Sequence, residues 1–250
     1  YDIRGYFDLY CTPGPLMTKT MKENRKKNAH YLIRETGWPK VDQILRPHNQ
    51  TEVRKELNLH VENPVILYAP TFSRRFKSTS EMADVIRNVP RDDETWVIKF
   101  HDLMSEEDRA LFDSTSNVII YDHHDIIPLL RASDVLISDT SSVVYEFMLL
   151  DKPVITVNAI ARPEKGIDIS DINNMRTAVD RSLENPGEYS KARMRIMKRM
   201  HPYRDTENAR RAFEAADDVI TNKLTASLPK KPGNWMHELK MLFSAKERRK

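Results

Sequence analysis

The sequence predicts an α/β protein in which a parallel sheet is covered by helices on both faces. Two observations carry this. Short runs that are apolar throughout recur between residues 64 and 157, and a run without alternation suits a strand buried on both faces. Between consecutive runs lie segments with helical spacing of apolar residues, which supply the crossovers that parallel neighbours require. The stretch Ser133–Ile155 shows the repeat in one piece. Val135–Ile137 reads as a buried strand, and Asp139, Thr140, Ser141 and Ser142 as a turn of good N-cap residues. Val143–Leu150 reads as a compact helix, Pro153 as its stop, and Val154–Val157 as the next strand.

In chain order, Phe7–Thr12 is an apolar strand that runs into the Pro13-Gly14-Pro15 turn. Lys19–Glu35 is polar and helix-permissive, and Thr36–Asp42 forms a second turn. From Thr51 the alternation becomes regular. Thr51–Leu57 is a short capped helix, Pro64–Ala69 a strand, and Ser80–Val89 a helix with Met82, Val85, Ile86 and Val89 on one side. Thr95–Phe100 is a strand, Ser105–Phe112 a helix, Val118–Tyr121 a strand and Ile126–Ala132 a helix. The central strand, the central helix and Val154–Val157 follow, giving five strands. Residues 170–222 are mostly helical and polar, closing with Asp205–Asn222. We therefore divide the chain into residues 1–50, an α/β domain at 51–222 and a tail at 223–250.

Composition excludes several classes. The single cysteine, Cys11, rules out an intramolecular disulfide framework and a cysteine-based zinc site, and favours a reducing, cytoplasmic setting. No apolar run approaches the roughly 20 residues that span a bilayer. The six glycines form neither G-x-G-x-x-G nor a Walker loop. A formal net charge of +3 on 250 residues is too small to imply nucleic acid. The first residue is Tyr rather than Met, and we expect the chain to be a piece of a longer polypeptide.

Positive charge concentrates at the end. Residues 229–250 carry seven Lys/Arg against two Glu. Pro229, Pro232 and Gly233 break the chain there, and Asn234 suits the cap of a helix with Trp235, Leu239, Leu242 and Phe243 at three- and four-residue spacing. Such a helix suits the interface of an anionic bilayer. A C-terminal helix folded back on its own protein is the plain alternative.

The candidate chemistry lies where strands end. Asp139, Ser141 and Ser142 follow a buried strand and precede a helix, so hydroxyls and backbone N–H groups favour an anion there. Glu146 stands one turn further on, placed to accept from a ribose diol. Thr71 and Arg74 follow Pro70 at the end of the first sheet strand, and a guanidinium pairs well with phosphate oxygens. His101 ends the strand that contains Lys99 and Phe100, a position from which it could serve a phosphate oxygen or a leaving group. His123-His124-Asp125 offers no third ligand group at metal spacing, and Asp125 reads better as a helix cap than as a metal ligand.

Together these segments resemble the CDP-glycerol glycerophosphotransferase family, the teichoic-acid polymerases and primases. Ser133–Ile155 matches the family pattern S-D-x-L-I-(S/T)-D-Y-S-S-V-x-(F/Y)-(D/E)-F-x-x-L-D-K-P-V-I nearly throughout, with Thr140 in place of its Tyr. Tyr68-Ala69-Pro70-Thr71-Phe72 resembles Y-A-P-T-(F/W)-R, with Ser73 intervening before Arg74. Lys99-Phe100-His101 resembles K-x-H-P, with Asp102 for the proline. Thr36–Asp42 resembles an element before the hinge, and His201–Asp205 one that opens the last donor-domain helix.

The resemblance implies a GT-B-like fold. Residues 51–222 would be its Rossmann-type donor domain, and residues 1–50 the end of the acceptor-side domain with its hinge. It implies transfer of glycerol phosphate, or a related polyol phosphate, from a CDP-linked donor to a hydroxyl of a polymer or lipid-linked acceptor, with CMP leaving. No cofactor and no metal-ligating residue is assigned, and metal dependence stays open. In the family the general base is the histidine of a His-Gly pair, and no such pair occurs here. The implied location is the cytoplasmic face of the cell membrane, with residues 229–250 on the anionic surface. Two alternatives stay open. One is a nucleotide-sugar glycosyltransferase or UDP-sugar 2-epimerase of the same architecture, although that group has glycines where Ser142 and Val143 stand. The other is a non-catalytic membrane- or partner-binding module.

Overall fold

The computed structural model describes residues 6–27, 29–113, 115, 118–231 and 233. The described residues form two compact units, one within 43–198 and one within 1–42 and 199–233.

The smaller unit begins with two parallel strands, β1 (Leu9–Thr12) and β2 (Leu32–Glu35), in register from Leu9 opposite Leu32 to Thr12 opposite Glu35. Between them runs helix α1 (Pro15–Arg25). Proline at its first position has φ already set for a helix and no N–H to satisfy. The reading of Lys19–Glu35 as helical therefore holds only to Arg25. Pairing with β1 turns Leu32–Glu35 into a strand, an outcome of tertiary context that local propensity does not carry. Helix α2 (Pro39–Leu45) follows.

The larger unit opens with helix α3 (Gln50–Glu56). Its cap is Asn49, whose side chain accepts from the N–H groups of Thr51 and Glu52 at 3.0 and 3.4 Å. Among the described residues the unit is built on six parallel strands: β3 (Val65–Tyr68), β4 (Thr95–Ile98), β5 (Val118–Ile120), β6 (Val135–Ser138), β7 (Val154–Val157) and β8 (Ile167–Ile169). Their spatial order is β5-β4-β3-β6-β7-β8. Every residue of β3, β4, β6 and β7 is buried, as runs without alternation require. The five expected strands are present. The sixth, β8, has the alternating pattern Ile-Asp-Ile and lies at the sheet edge against β7, so no apolar run marks it. Gly166 makes that pairing possible, because a Cβ there would collide with the Val154 carbonyl oxygen.

Helices connect the strands: α4 (Thr79–Asn88), α5 (Glu106–Ala110), α6 (Ile127–Ala132) and α7 (Val143–Met148), followed by α8 (Met175–Glu184) and α9 (Ser190–Met200). Met82, Ile86, Trp96, Phe100, Phe112 and Val179 belong to one continuous core. Two cations, the buried Arg54 and the half-buried Lys152, fasten backbone rather than ligand. The Arg54 guanidinium donates to the carbonyls of Ala132 and Val61 and meets the Asp134 carboxylate at 2.5 Å. The Lys152 ammonium donates to the carbonyls of Arg131 and Ser133 at 2.7 and 2.6 Å, closing the end of α6. Burial pushes the pKa of that amine down to about 8.

The chain order of the sheet has a functional consequence. From β3 the chain moves outward through β4 and β5, then returns to β6 on the other side of β3 and continues through β7 and β8. The β3–β6 junction is therefore the topological switch point, the place where open parallel sheets bind ligands beyond their carboxyl ends.

Helix α10 (Asn208–Thr221) belongs to the smaller unit. Asp42 caps it, accepting from the N–H groups of Asn208 and Ala209 at 3.1 and 2.8 Å. Tyr203 donates to Glu35, and Arg211 to the Thr36 carbonyl, both at 2.9 Å. Gly37 has φ of 81°, and a Cβ on it would collide with the Asn208 side-chain oxygen. Residues 199–222, expected with the α/β domain, therefore group with residues 1–42. The amphipathic helix expected from Asn234 lies outside the described residues. None of the described helices is long and apolar enough to cross a membrane.

Candidate functional site

Three loops leave the carboxyl edge of the larger unit's sheet side by side, after β4, β3 and β6, and side-chain contacts stitch them together. The Asp139 carboxylate, at the end of β6, is 2% exposed. It accepts from the Thr71 N–H at 2.9 Å, and from the Ser78 N–H and hydroxyl at 3.1 Å each. Ser78 in turn shares a 3.0 Å hydrogen bond with the Tyr68 hydroxyl. Burial pushes the pKa of Asp139 up to about 6, and the donors from Thr71 and Ser78 restrain the rise. The Ser138 hydroxyl donates to the Ala69 carbonyl at 2.6 Å. The sharp exit of β3 at Pro70 is thus held against β6 across the switch point.

The second stitch is aromatic. Phe72 lies with its ring 4.4 Å from that of His101, which ties the loop after β3 to the loop after β4. The Leu103 N–H donates to His101 Nδ1 at 3.1 Å. Nδ1 is therefore the acceptor, and the neutral ring carries its proton on Nε2. His101 is exposed. Beside it the Lys99 ammonium donates to the Phe100 carbonyl at 2.8 Å and lies 3.5 Å from Asp102.

At the start of α7 the two serines differ. The Ser141 hydroxyl accepts from the Val143 N–H at 3.4 Å, while Ser142 stands at the N-cap, exposed, with no side-chain capping bond. Glu146 is buried in the first turn of the helix at 7% exposure.

The sequence-predicted residues therefore fall into three groups. Ser141, Ser142 and Glu146 stand together at the start of α7. Thr71 and His101 lie on the two loops joined to that strand end. Asp139 directs its carboxylate inward, so its part in the site is to hold the loop that carries Thr71. Arg74 is exposed in the turn after Phe72. Sequence reasoning missed Ser78 and Tyr68, whose roles depend on a contact 61 residues away in the chain. It also missed Arg162, which donates to the Tyr145 hydroxyl at 2.7 Å.

The histidine-rich loop is arranged for structure. Asp125 accepts from the Ile127 N–H, the first residue of α6, at 2.9 Å. His124 lies 3.2 Å from Asp102. Among the described residues no three His, Cys, Asp or Glu side chains cluster as metal ligands do.

Comparison with known proteins bears on this edge. A family model described as CDP-Glycerol:Poly(glycerophosphate) glycerophosphotransferase matches residues 4–159. The chain is 28% identical over 166 residues to the teichoic acid glycerol-phosphate transferase of Staphylococcus aureus, covering 60% of this chain and 41% of that protein. It is 35% identical over 115 residues to the teichoic acid glycerol-phosphate primase of Bacillus spizizenii, covering 43% of this chain and 28% of that protein. The chain thus spans less than half the length of these curated relatives. Among solved structures, the wall teichoic acid polymerase TagF superposes with a TM-score of 0.66 at 19% identity, over 87% of this chain and 59% of that one. A UDP-N-acetylglucosamine 2-epimerase superposes with 0.56 at 19% identity, over 90% and 61%. These likenesses establish a GT-B-type fold. With its model matched over more than half of the sequence, the CDP-glycerol:poly(glycerophosphate) glycerophosphotransferase family is the one to which this chain belongs.

Proposed function

We propose that this chain supplies the donor site of an enzyme that transfers glycerol phosphate, or a related polyol phosphate, from a CDP-linked donor to a hydroxyl of a growing wall polymer. The observation that carries this reading is the stitched edge at the switch point, in a chain of this family. It brings hydroxyls, backbone donors and a histidine with a fixed tautomer to three adjacent loops.

In the reaction, the acceptor oxygen forms a bond to the phosphorus that bears the glycerol. The bond from that phosphorus to the oxygen bridging to CMP breaks, and CMP leaves with the electron pair. The acceptor's proton goes to a base on the acceptor side, and the chain contains no His-Gly pair to supply it. Such a transfer depends on positioning and charge neutralisation more than on covalent chemistry. Ser141 and Ser142 take the diphosphate in this reading, with the Thr71 hydroxyl and Arg74 at its margin and Glu146 on the ribose. His101, a donor through Nε2, meets the charge that develops on the leaving phosphate. Residues 229–250 would bring the enzyme to the anionic inner surface of the membrane, where a lipid-linked acceptor resides.

Thermal unfolding with added ligand tests the donor, because only a ligand of the native state raises the melting temperature. CDP-glycerol should raise it and UDP-N-acetylglucosamine should not. Replacing Ser141 and Ser142 together by Ala should weaken CDP-glycerol binding by about 3 kcal/mol, two charge-assisted hydrogen bonds at ~1.5 kcal/mol or more each. Unchanged affinity in a folded double variant would sink the assignment. His101→Gln should lower the rate of CMP release in the complete enzyme far more than donor affinity. A parallel fall in melting temperature and activity would make His101 a structural residue.

A further inference from the structure

The loop after β7, residues 158–166, is built around one cation that the site as described leaves unassigned. Arg162 has φ of 54° and ψ of 59°, the left-handed region. A non-glycine residue there carries strain that the surroundings must hold. The surroundings do so from both ends of the loop. The Lys165 side chain, 3% exposed, donates to the carbonyls of Ala161 and Arg162 at 3.0 and 3.1 Å. Asp168 accepts from the Ala159 N–H at 2.9 Å and from the Thr156 hydroxyl at 2.6 Å. A buried ammonium engaged by the carbonyl of the strained residue itself fixes where that side chain starts.

Its far end is fixed as well. The Arg162 guanidinium donates from Nη1 to the Tyr145 hydroxyl at 2.7 Å and lies 5.6 Å from the Tyr145 ring centroid. Tyr145 sits in the first turn of α7, between Ser142 and Glu146. Strand β7 is the neighbour of β6 in the sheet, so the loop leaves the same carboxyl edge on the side of β6 away from β3. Among the described residues, Tyr145 takes the one hydrogen bond that the Arg162 guanidinium makes, no carboxylate pairs with it, and four further N–H donors remain in its fork. Arg162 is half-buried.

We infer that Arg162 binds the diphosphate of the nucleotide donor and that Tyr145 is a positioning residue which aims it. This rests on the reading of the α7 edge as a donor site. A guanidinium held over a ring and anchored by one N–H offers a planar, pre-organised fork to phosphate oxygens. The strain at Arg162 then has a use: an ordinary φ would send the side chain from the loop in another direction.

Arg162→Gly is the informative variant, because glycine adopts this φ without strain and removes only the side chain. In calorimetric titration of the full chain, Arg162→Gly and Arg162→Met should weaken CDP-glycerol binding about tenfold or more, the scale of one charge-assisted hydrogen bond or two. Cytidine, which lacks phosphates, should bind both variants as it binds the wild type, and the ligand-free melting temperature of Arg162→Gly should not fall. Arg162→Lys should recover part of the loss. Tyr145→Phe should weaken CDP-glycerol severalfold, and should add nothing in the Arg162→Gly background. Wild-type affinity in Arg162→Gly overturns the inference, as does an equal loss of CDP-glycerol and cytidine. If the wild type binds UDP-N-acetylglucosamine in place of CDP-glycerol and Arg162→Gly loses it, the donor reading fails while Arg162 stands as a diphosphate ligand. Binding of neither by the wild type overturns both.

Discussion

Asp139 shows what a residue can disclose in sequence and what it withholds. Its place at the end of a buried strand is legible, and so is its neighbourhood with Ser141, Ser142 and Glu146. That its carboxylate turns inward to Thr71 and Ser78 is not legible, because both partners lie more than 60 residues earlier in the chain. Arg162 is hidden as well, because nothing in the run Ala161-Arg162-Pro163 signals a left-handed residue aimed at Tyr145. The buried carboxylate has a measurable consequence. Its folded pKa is raised to about 6, against roughly 3.9 in an unfolded chain. Below pH 4 both states hold the proton. Between about pH 4 and 6 the folded state keeps a proton that the unfolded state has released, so this group lowers stability as pH rises through that window. Two pKa units correspond to roughly 3 kcal/mol in full. Asp139→Asn removes the titration. The stability of the wild type minus that of the variant, from urea unfolding, should be smaller at pH 7.5 than at pH 4.5 by on the order of 2 kcal/mol. An equal difference at both pH values would mean that the carboxylate does not titrate as its burial requires.

At the scale of elements, legibility follows the source of each element's stability. Strands β3, β4, β6 and β7 are buried on both faces, and their sequences announce it. Strand β2 is half-buried along its length and, among the described residues, pairs only with β1, so its residues Leu-Ile-Arg-Glu look like a continuation of the polar helix before them. Strand β8 is three residues at an edge, held by its register with β7 and by the close approach at Gly166. Both are made by partners, and a single sequence does not display partners. Caps behave in the same way. Ser105, next to its helix, accepts from the Asp108 N–H and is legible as the start of α5. Asp42 caps a helix that begins 166 positions later, and in sequence it is only an acidic residue in a turn.

At the scale of the whole molecule, the α/β class is legible and the division of the chain is not. Residues 199–222 share the polar, mostly helical character of 170–198, yet α10 is capped by Asp42 and bonded to Thr36 within the smaller unit. The tail beyond α10 bears on how the enzyme would reach the lipid-linked acceptor of the proposed reaction. None of the described helices can cross a bilayer, so attachment through them would be peripheral. Residues 229–250 carry a net charge of +5, seven Lys/Arg less two Glu, and set Trp235, Leu239, Leu242 and Phe243 at helical spacing. Each basic residue near an anionic surface contributes ~1 kcal/mol, and the apolar side chains add to that on insertion. The full chain should therefore co-sediment with phosphatidylglycerol-containing vesicles at low salt, and less at high salt as screening shortens the reach of the charges. It should not co-sediment with phosphatidylcholine vesicles. Deleting residues 229–250 should abolish co-sedimentation and leave the melting temperature of the remainder nearly unchanged. A deletion that lowers the melting temperature by many degrees would show the tail packed on its own protein, with Trp235 and Phe243 as core contacts. A full chain that ignores anionic vesicles at low salt would remove the membrane from the proposal and leave the donor site to stand on its own.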